Sequence, residues 1–204
     1  MSQFPEIGAV ILAAGRGRRL GAPKVMLKQS GVSCLAQIVS RLRQAGIERI
    51  VAVVRSEHHS WAVDKAGTIE LAINPRPERG MLSSLYLGIR HLPHCQGVMV
   101  VAVDHPLVKT DTYRSLVRAF KEMPQAVVKP ESRGRAGHPI VIPRQLAARV
   151  PTADIHGGLS ALIRSSGMNQ VRLKVDDDGV TCNINTPADR ERLGGEVANE
   201  RKHL

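Results

Sequence analysis

Residues 10–24, VILAAGRGRRLGAPK, run from an apolar stretch into Gly15, Gly17 and Gly21, interleaved with Arg16, Arg18, Arg19 and Lys24. A strand that feeds such a loop can turn backbone N–H groups toward an anion, because positions without side chains let phosphate oxygens come within hydrogen-bond distance. The glycines give access and the cations give charge. The spacing departs from both familiar phosphate loops. No Gly-Lys-Ser/Thr follows at the Walker position, and the glycines are spaced G-x-G-x-x-x-G, one residue longer than the dinucleotide fingerprint. On local grounds alone, a solvated turn competes with an anion cradle. A carboxylate, Asp104, ends another strongly apolar stretch, GVMVVAVD.

The elements that must position these residues are legible from periodicity. Ile7 to Ala13 is a continuous apolar run ended by glycine, the pattern of a strand buried on both faces. Leu35, Ile38, Val39 and Leu42 recur at helical spacing, with Ser33 as N-cap and Gly46 as the stop. RIVAVV (49–54) and TIELAIN (68–74) read as strands, with a short helical segment at 57–66 between them. MLSSLYLGIRHL puts Leu82, Leu85, Ile89 and Leu92 on one helix face, and TDTYRSLVRAFKEM is an amphipathic helix capped by Thr110. QAVVKP is a further strand. This alternation predicts right-handed crossovers and an α/β fold, a doubly wound, mostly parallel sheet flanked by helices in the Rossmann-like manner. Ligands of such sheets lie beyond the carboxyl ends of the strands, where Gly15 to Lys24 and Asp104 both fall.

From Pro130 the pattern loosens. GRAGHPIVIP reads as a glycine-rich turn entering a short strand, GGLSALIRSSG as a helix and QVRLKV as a strand. DDDG (176–179) reads as a hairpin turn, and Thr186-Pro187 as a helix start. Residues 1–193 are expected to form a single domain, and 194–204 a polar, disordered tail.

The 204 residues are 43% hydrophobic, enough for a proper core, but only 2% aromatic, so that core must be built from Val, Ile, Leu and Ala. A formal charge of +11 implies an anionic partner. Nucleic acid is not the expected one, since aromatics for base stacking are scarce, the charge is dispersed and no helix-turn-helix or zinc signature is present. Cys34, Cys95 and Cys182 are odd in number and scattered, which indicates neither a disulfide framework nor a zinc site. His91 and His94 beside Cys95 read as loop histidines. The first apolar stretch precedes the arginines and is too short to span a bilayer, so the expectation is a soluble, cytoplasmic protein without membrane contact.

LAAGRGRRLGAPK resembles the leader of nucleotidyltransferases of the glycosyltransferase-A-like fold. Their pattern is Leu-Ala-Ala-Gly, a short variable stretch, Arg, Met or Leu, Gly and then Lys. Leu12, Ala13, Ala14, Gly15, Arg19, Leu20, Gly21 and Lys24 match it. NPRPERGMLSSLYLGI (74–89), VDHPLV (103–108), GHPIVI (137–142) and NINTPAD (183–189) then follow in the order expected of molybdenum cofactor cytidylyltransferases and their guanylyltransferase relatives. The resemblance spans residues 7–193. It implies Mg²⁺-dependent transfer of a nucleotide from a nucleoside triphosphate to a phosphorylated acceptor, molybdopterin or its metal-loaded form, with release of pyrophosphate. Both reactants are anions, so catalysis is chiefly charge and position. Under this reading the backbone from Ala14 through Gly15, Arg16 and Gly17 to Arg18 cradles the triphosphate. Arg19 and Lys24 stabilise charge on the leaving pyrophosphate and the α-phosphoryl group. Asp104 matches the magnesium-binding aspartate, and the competing role for it is to cap the turn before Pro106. Gly80, Ser83 and Ser84 would lie near base and ribose, with hydroxyls able to pair with a pyrimidine edge.

Cytidylyltransferases usually read Asp-Ile-Asp-Thr-Pro near the C-terminus, whereas this chain has Asn183-Ile184-Asn185-Thr186-Pro187, similar to the guanylyltransferase version. Asn185 is thus a candidate metal ligand that brings no negative charge. Asn183 or Asn185 could instead orient the acceptor, or serve as turn residues at a helix start. Against this, Ala14 and GMLSSL resemble the cytidylyl branch, and CTP is favoured over GTP. His138 is either a ligand of the acceptor phosphate or an ordinary loop histidine. The alternatives that stay open are the same chemistry on a sugar or alditol phosphate, and a catalytically silent nucleotide-binding protein. A molybdoenzyme or its chaperone is the protein partner that the resemblance implies.

Overall fold

The continuous apolar run of β1 (Ile7–Leu12) decides the architecture. Ala9 and Ile11 enter one core and Val10 the other, so both faces of the strand have to be covered by helices. In the computed structural model, which describes residues 6–150, 157–192 and 194–197, β1 lies inside an eight-stranded sheet. It is flanked in parallel by β4 (Ile50–Val54) and β6 (Gly97–Ala102), and β5 (Glu70–Ile73) continues the parallel set outside β4. On the other side β9 (Ile140–Pro143) runs antiparallel to both β6 and β7 (Val127–Ser132). β10 (Gln170–Lys174) pairs in parallel with β7, which also carries the short β8 (Arg135–Ala136). The sheet is therefore mostly parallel, with an antiparallel insertion where the sequence pattern loosens.

One face is covered by α1 (Cys34–Gln44), α2 (His59–Ala66) and α4 (Thr110–Glu122), whose Leu35, Ile38, Leu42, Tyr113, Leu116 and Phe120 are fully buried. The other face is covered by α3 (Met81–Arg90), the single turn α5 (Arg144–Ala147) and α6 (Gly158–Ser165). α3 can lie close to the sheet because residue 88 is glycine: a Cβ there would meet Val10 at 2.4 Å and Val53 at 3.1 Å. At α1 the Ser33 side chain accepts from the Ala36 amide, and Gly46 closes the helix with φ +83°, as the sequence predicts.

Other local expectations are corrected. Thr110 opens α4 but does not cap it; the capping position is Lys109, which has no side-chain cap. That helix end is held instead by Asp177, whose Oδ2 accepts from the Lys109 amide at 2.8 Å and from Thr112 Oγ1 at 2.6 Å. For the same reason DDDG is no hairpin. Asp177 turns inward to bind α4 and its Oδ1 accepts from the Gly179 amide, so Asp178–Val180 forms a 3-10 turn. A small second sheet of β2 (Leu27–Gln29), β3 (Val32–Ser33) and β11 (Gly195–Val197) is too short to show an apolar pattern in sequence; backbone pairing joins its strands and Leu27 anchors it in the core. Its last strand lies where the sequence suggests a disordered tail; residues 198–204 are outside the described residues. Among the described residues, no helix is long and apolar enough to cross a membrane.

Candidate active site

β1 and β6 are parallel neighbours with Leu12 opposite Ala102, so the segments that follow them emerge side by side. β4 and β5 lie to one side of β1 and β6 to the other, which makes the β1 edge the switch point where a crevice opens. The glycine loop enters it from β1 and Asp104 from β6.

The loop is shaped from within. The Leu20 and Gly21 amides donate to the Gly17 carbonyl at 2.9 and 3.0 Å, and Leu20 packs inward with Leu27, Cys34 and Ile184. Gly17 has φ +62°, and a Cβ on it would sit 1.9 Å from the Ala22 carbonyl oxygen. Among the described residues, nothing accepts from the amides of residues 14–19, and Arg16, Arg18 and Arg19 are exposed and outside any ion pair. Unsatisfied amides beside uncommitted guanidinium groups make an anion-binding concavity. Ala13 does not share in it through its side chain, which is 1% exposed and packed in the core; its amide is spent on the Val53 carbonyl.

Lys24 stands at the centre. Its Nζ is 2.5 Å from Asp104 Oδ2 and 2.6 Å from Asn185 Oδ1. The sequence reading assigns Lys24 to phosphate charge, but here it joins the two candidate metal ligands. Asp104 is 7% exposed and held by its backbone as well: the Ile184 amide donates to the Asp104 carbonyl at 2.9 Å. That bond brings Asn183 and Asn185, on either side of the buried Ile184, to the crevice. Beyond them Asp189 Oδ2 accepts from the Asn185 and Thr186 amides while Thr186 Oγ1 accepts from the Asp189 amide, a reciprocal cap that starts α7 (Pro187–Arg192).

Two cavities meet at this point. One, of about 460 Å³, is walled by Arg16, Gly17, Arg18, Arg55 and Glu78. The other, of about 430 Å³, is walled by Leu12, Gly80, Met81, Ser84, Asp104, His105, His138 and Asn183. Ala14, Gly15, Arg19, Lys24 and Asn185 line both. Ser83 does not line either: its hydroxyl donates to the Gly80 carbonyl at 2.7 Å and accepts from Asn74 Nδ2 at 3.0 Å. Asn74, buried at the end of β5, also donates to Ser84 Oγ and accepts from the Arg76 amide, so it shapes the loop that leads into α3. Sequence reasoning missed both Asn74 and Arg55. Each directly follows or lies next to a strand's carboxyl end, which is the signal that could have marked them.

His105 and His138 stack obliquely on one wall of the second cavity, ring centroids 5.1 Å apart at 45°, and the Nδ1 of each is buried without a hydrogen-bond partner among the described residues. Burial, reinforced by the His105 ring, pushes the His138 imidazole down to about 4, and burial lowers His105 as well. Both rings are therefore neutral near pH 7 and bring no positive charge to an acceptor phosphate.

A doubly wound sheet with a cationic, amide-lined loop facing a buried aspartate across its switch point defines a nucleotide-binding α/β protein. The chain belongs to the MobA-like NTP transferase domain family, whose profile matches residues 9–172, and it is a nucleotidyltransferase by that membership. A probable molybdenum cofactor guanylyltransferase of Rhodopirellula baltica is 29% identical over 194 residues, 91% of this chain and 90% of the relative. One of the same name in Opitutus terrae is 26% identical over 192 residues, 91% and 94% of the two chains. Among solved structures, Rv0371c of Mycobacterium tuberculosis in complex with manganese superposes with a TM-score of 0.76 at 20% identity, covering 93% of this chain and 98% of that one.

Proposed function

We propose that the protein transfers a nucleotidyl group from a nucleoside triphosphate to the phosphate of molybdopterin, or of its metal-loaded form, with release of pyrophosphate. The observation that carries this reading is the meeting of the open amides of residues 14–19 with Asp104, Lys24 and Asn185 at one junction between two cavities. GTP is the nucleotide this reading takes. Relatives aligned over nine-tenths of the chain are named as guanylyltransferases, and Asn183-Ile184-Asn185 accords with them. The preference for CTP drawn from Ala14 and GMLSSL therefore gives way, and CTP stands as the second reading.

In this mechanism the arginine-walled cavity takes the triphosphate, the loop amides bind its oxygens, and Arg19 at the junction faces the charge that develops as pyrophosphate leaves. The second cavity takes the nucleoside beside Gly80 and Ser84 and also the acceptor, for which Asn183 is a hydrogen-bonding group and the neutral His138 a wall. Asp104 and Asn185 fit a hard divalent cation such as Mg²⁺, because both offer oxygen and both already converge on a cationic ammonium. Among the described residues no cluster of three or more His, Cys, Asp or Glu is placed to hold a metal, so phosphate oxygens and water would complete the shell. Once bound, such an ion neutralises charge on the phosphates.

The test is to incubate the protein with each NTP, Mg²⁺ and molybdopterin and to measure pyrophosphate. Release is expected with GTP, and Asp104→Ala should lower turnover by about a hundredfold or more. Release with CTP alone would select the second reading, and silence with all four would end molybdopterin as the acceptor and leave a sugar or alditol phosphate to be tested in its place. Metal-free nucleotide binding by the Ala variant without turnover in either protein would point to a nucleotide sensor.

A further inference from the structure

We infer that Lys24 is a built-in stand-in for the metal ion. In the nucleotide-free protein its ammonium occupies the cation position between Asp104 and Asn185, and binding of a triphosphate draws it out. The inference deepens the proposed function, on which it rests for the identity of the ligand that displaces Lys24.

Nζ lies within 2.5 Å of Asp104 Oδ2 and 2.6 Å of Asn185 Oδ1, the same two oxygens that fit a divalent cation. An ion that needs those oxygens at about 2.1 Å cannot share them with an ammonium already in contact, for reasons of volume and of like charge. The Asp104 side chain is 10% exposed and that of Lys24 24%, so the pair is screened little by solvent. A buried carboxylate left without a counter-charge would be costly, which gives the ammonium a reason to be there before any ligand arrives.

The position of the Lys24 stem supplies the way out. It passes over Gly15, where a Cβ would come within 3.5 Å of the Lys24 Cδ, and Lys24 lines both cavities. Rotation about its own side-chain bonds can carry the charge from the Asp104 side to the amide-lined loop, with the backbone unchanged. A triphosphate on the loop competes for the ammonium, and each step it takes toward phosphate frees Asp104 and Asn185. Nucleotide and metal then strengthen each other's binding through a single side chain, and this coupling is reciprocal. Lys24 is in this sense a positioning residue for the metal as well as a phosphate ligand.

Mn²⁺ alone is the probe, titrated into the nucleotide-free full chain and followed by the paramagnetic resonance of the free ion. Lys24→Met should bind Mn²⁺ about tenfold or more tighter than the unaltered protein, a coupling of the ordinary size between linked sites. The gain should vanish when Asp104→Asn is added. Lys24→Gln, which keeps a hydrogen-bond donor without charge, repeats the measurement if the Met variant does not fold. Equal Mn²⁺ affinity in the neutral variants and the unaltered protein would overturn the inference, as would a gain that survives Asp104→Asn. The readout contains neither nucleotide nor acceptor. Failure of pyrophosphate release with every NTP would therefore end the proposed reaction and leave a tightened Mn²⁺ site standing, and a flat titration in an active enzyme would do the reverse.

Discussion

At the scale of single residues, the site depends on which glycines are obligatory. Gly17 and Gly21 both have positive φ, +62° and +76°, but their surroundings differ. A Cβ at Gly17 would strike the Ala22 carbonyl oxygen, whereas at Gly21 nothing lies within 4 Å. Gly17→Ala must therefore move the loop that bears the open amides, and kcat/KM for the triphosphate should fall about a hundredfold, the cost of misplacing binding groups by an ångström. Gly21→Ala suffers only the left-handed backbone strain, about 1 kcal/mol of stability, with activity nearly unchanged. Steady-state kinetics with urea unfolding separates the two; equal activity loss in both would show that backbone strain, not the carbonyl clash, governs the loop. Ser83 teaches a related lesson. Its type suits a base contact, but its hydroxyl is already committed to Gly80 and Asn74.

At the scale of elements, the segment from Asp177 to Asn185 laces the Asp104 and His138 side of the crevice together. Asp177 accepts three hydrogen bonds, from Lys109, Thr112 and Gly179, and is 3% exposed. Further along, the His138 amide donates to the Val180 carbonyl, and the Ile184 amide to Asp104. Gly179 packs so closely that a Cβ would meet the Leu107 carbonyl oxygen at 2.5 Å. Asp177→Ala leaves buried donors without acceptors and should cost about 3 kcal/mol in urea unfolding, with Asp177→Asn between it and the unaltered protein because one acceptor oxygen remains. If the Ala variant were as stable as the parent, the turn would not be what holds the Asp104 loop. The hairpin reading of DDDG failed because turn residues look alike whether they join two strands or bind a distant helix end.

At the scale of the whole molecule, a formal charge of +11 on a fold whose second cavity has a neutral histidine wall divides electrostatic labour. The cations sit on the loop and surface, while His105 and His138 are kept uncharged by burial. This has a consequence for acid stability. His138 titrates at about 4 in the fold against an ordinary 6.5, so between these values the unfolded chain binds more protons than the native one. Its contribution to stability is complete above about pH 6.5 and declines as pH falls toward 4; His105 acts in the same direction. The drop in Tm between about pH 7.5 and pH 5 should thus be smaller in His138→Gln than in the parent. Identical drops measured by calorimetry would show that the His138 ring does not resist protonation.

Read without coordinates, the chain already determined its class and the sides of its crevice. Apolar runs that end in glycine or aspartate, as at Leu12–Gly15 and Val103-Asp104, place strand ends, and helical spacing at Leu35 to Leu42 places covers, because burial and periodicity are local properties of sequence. The loop string and the downstream motifs pointed to the family to which the chain belongs. Tertiary structure alone decided which side chains meet. That Lys24 lies between Asp104 and Asn185, 80 and 161 residues away, that Ser83 is spent on a loop while Ser84 faces the cavity, and that His138 is neutral all depend on packing between distant segments. Charge state and pairing are set by desolvation and by neighbours in space, and neither leaves a trace in the spacing of residues along the chain.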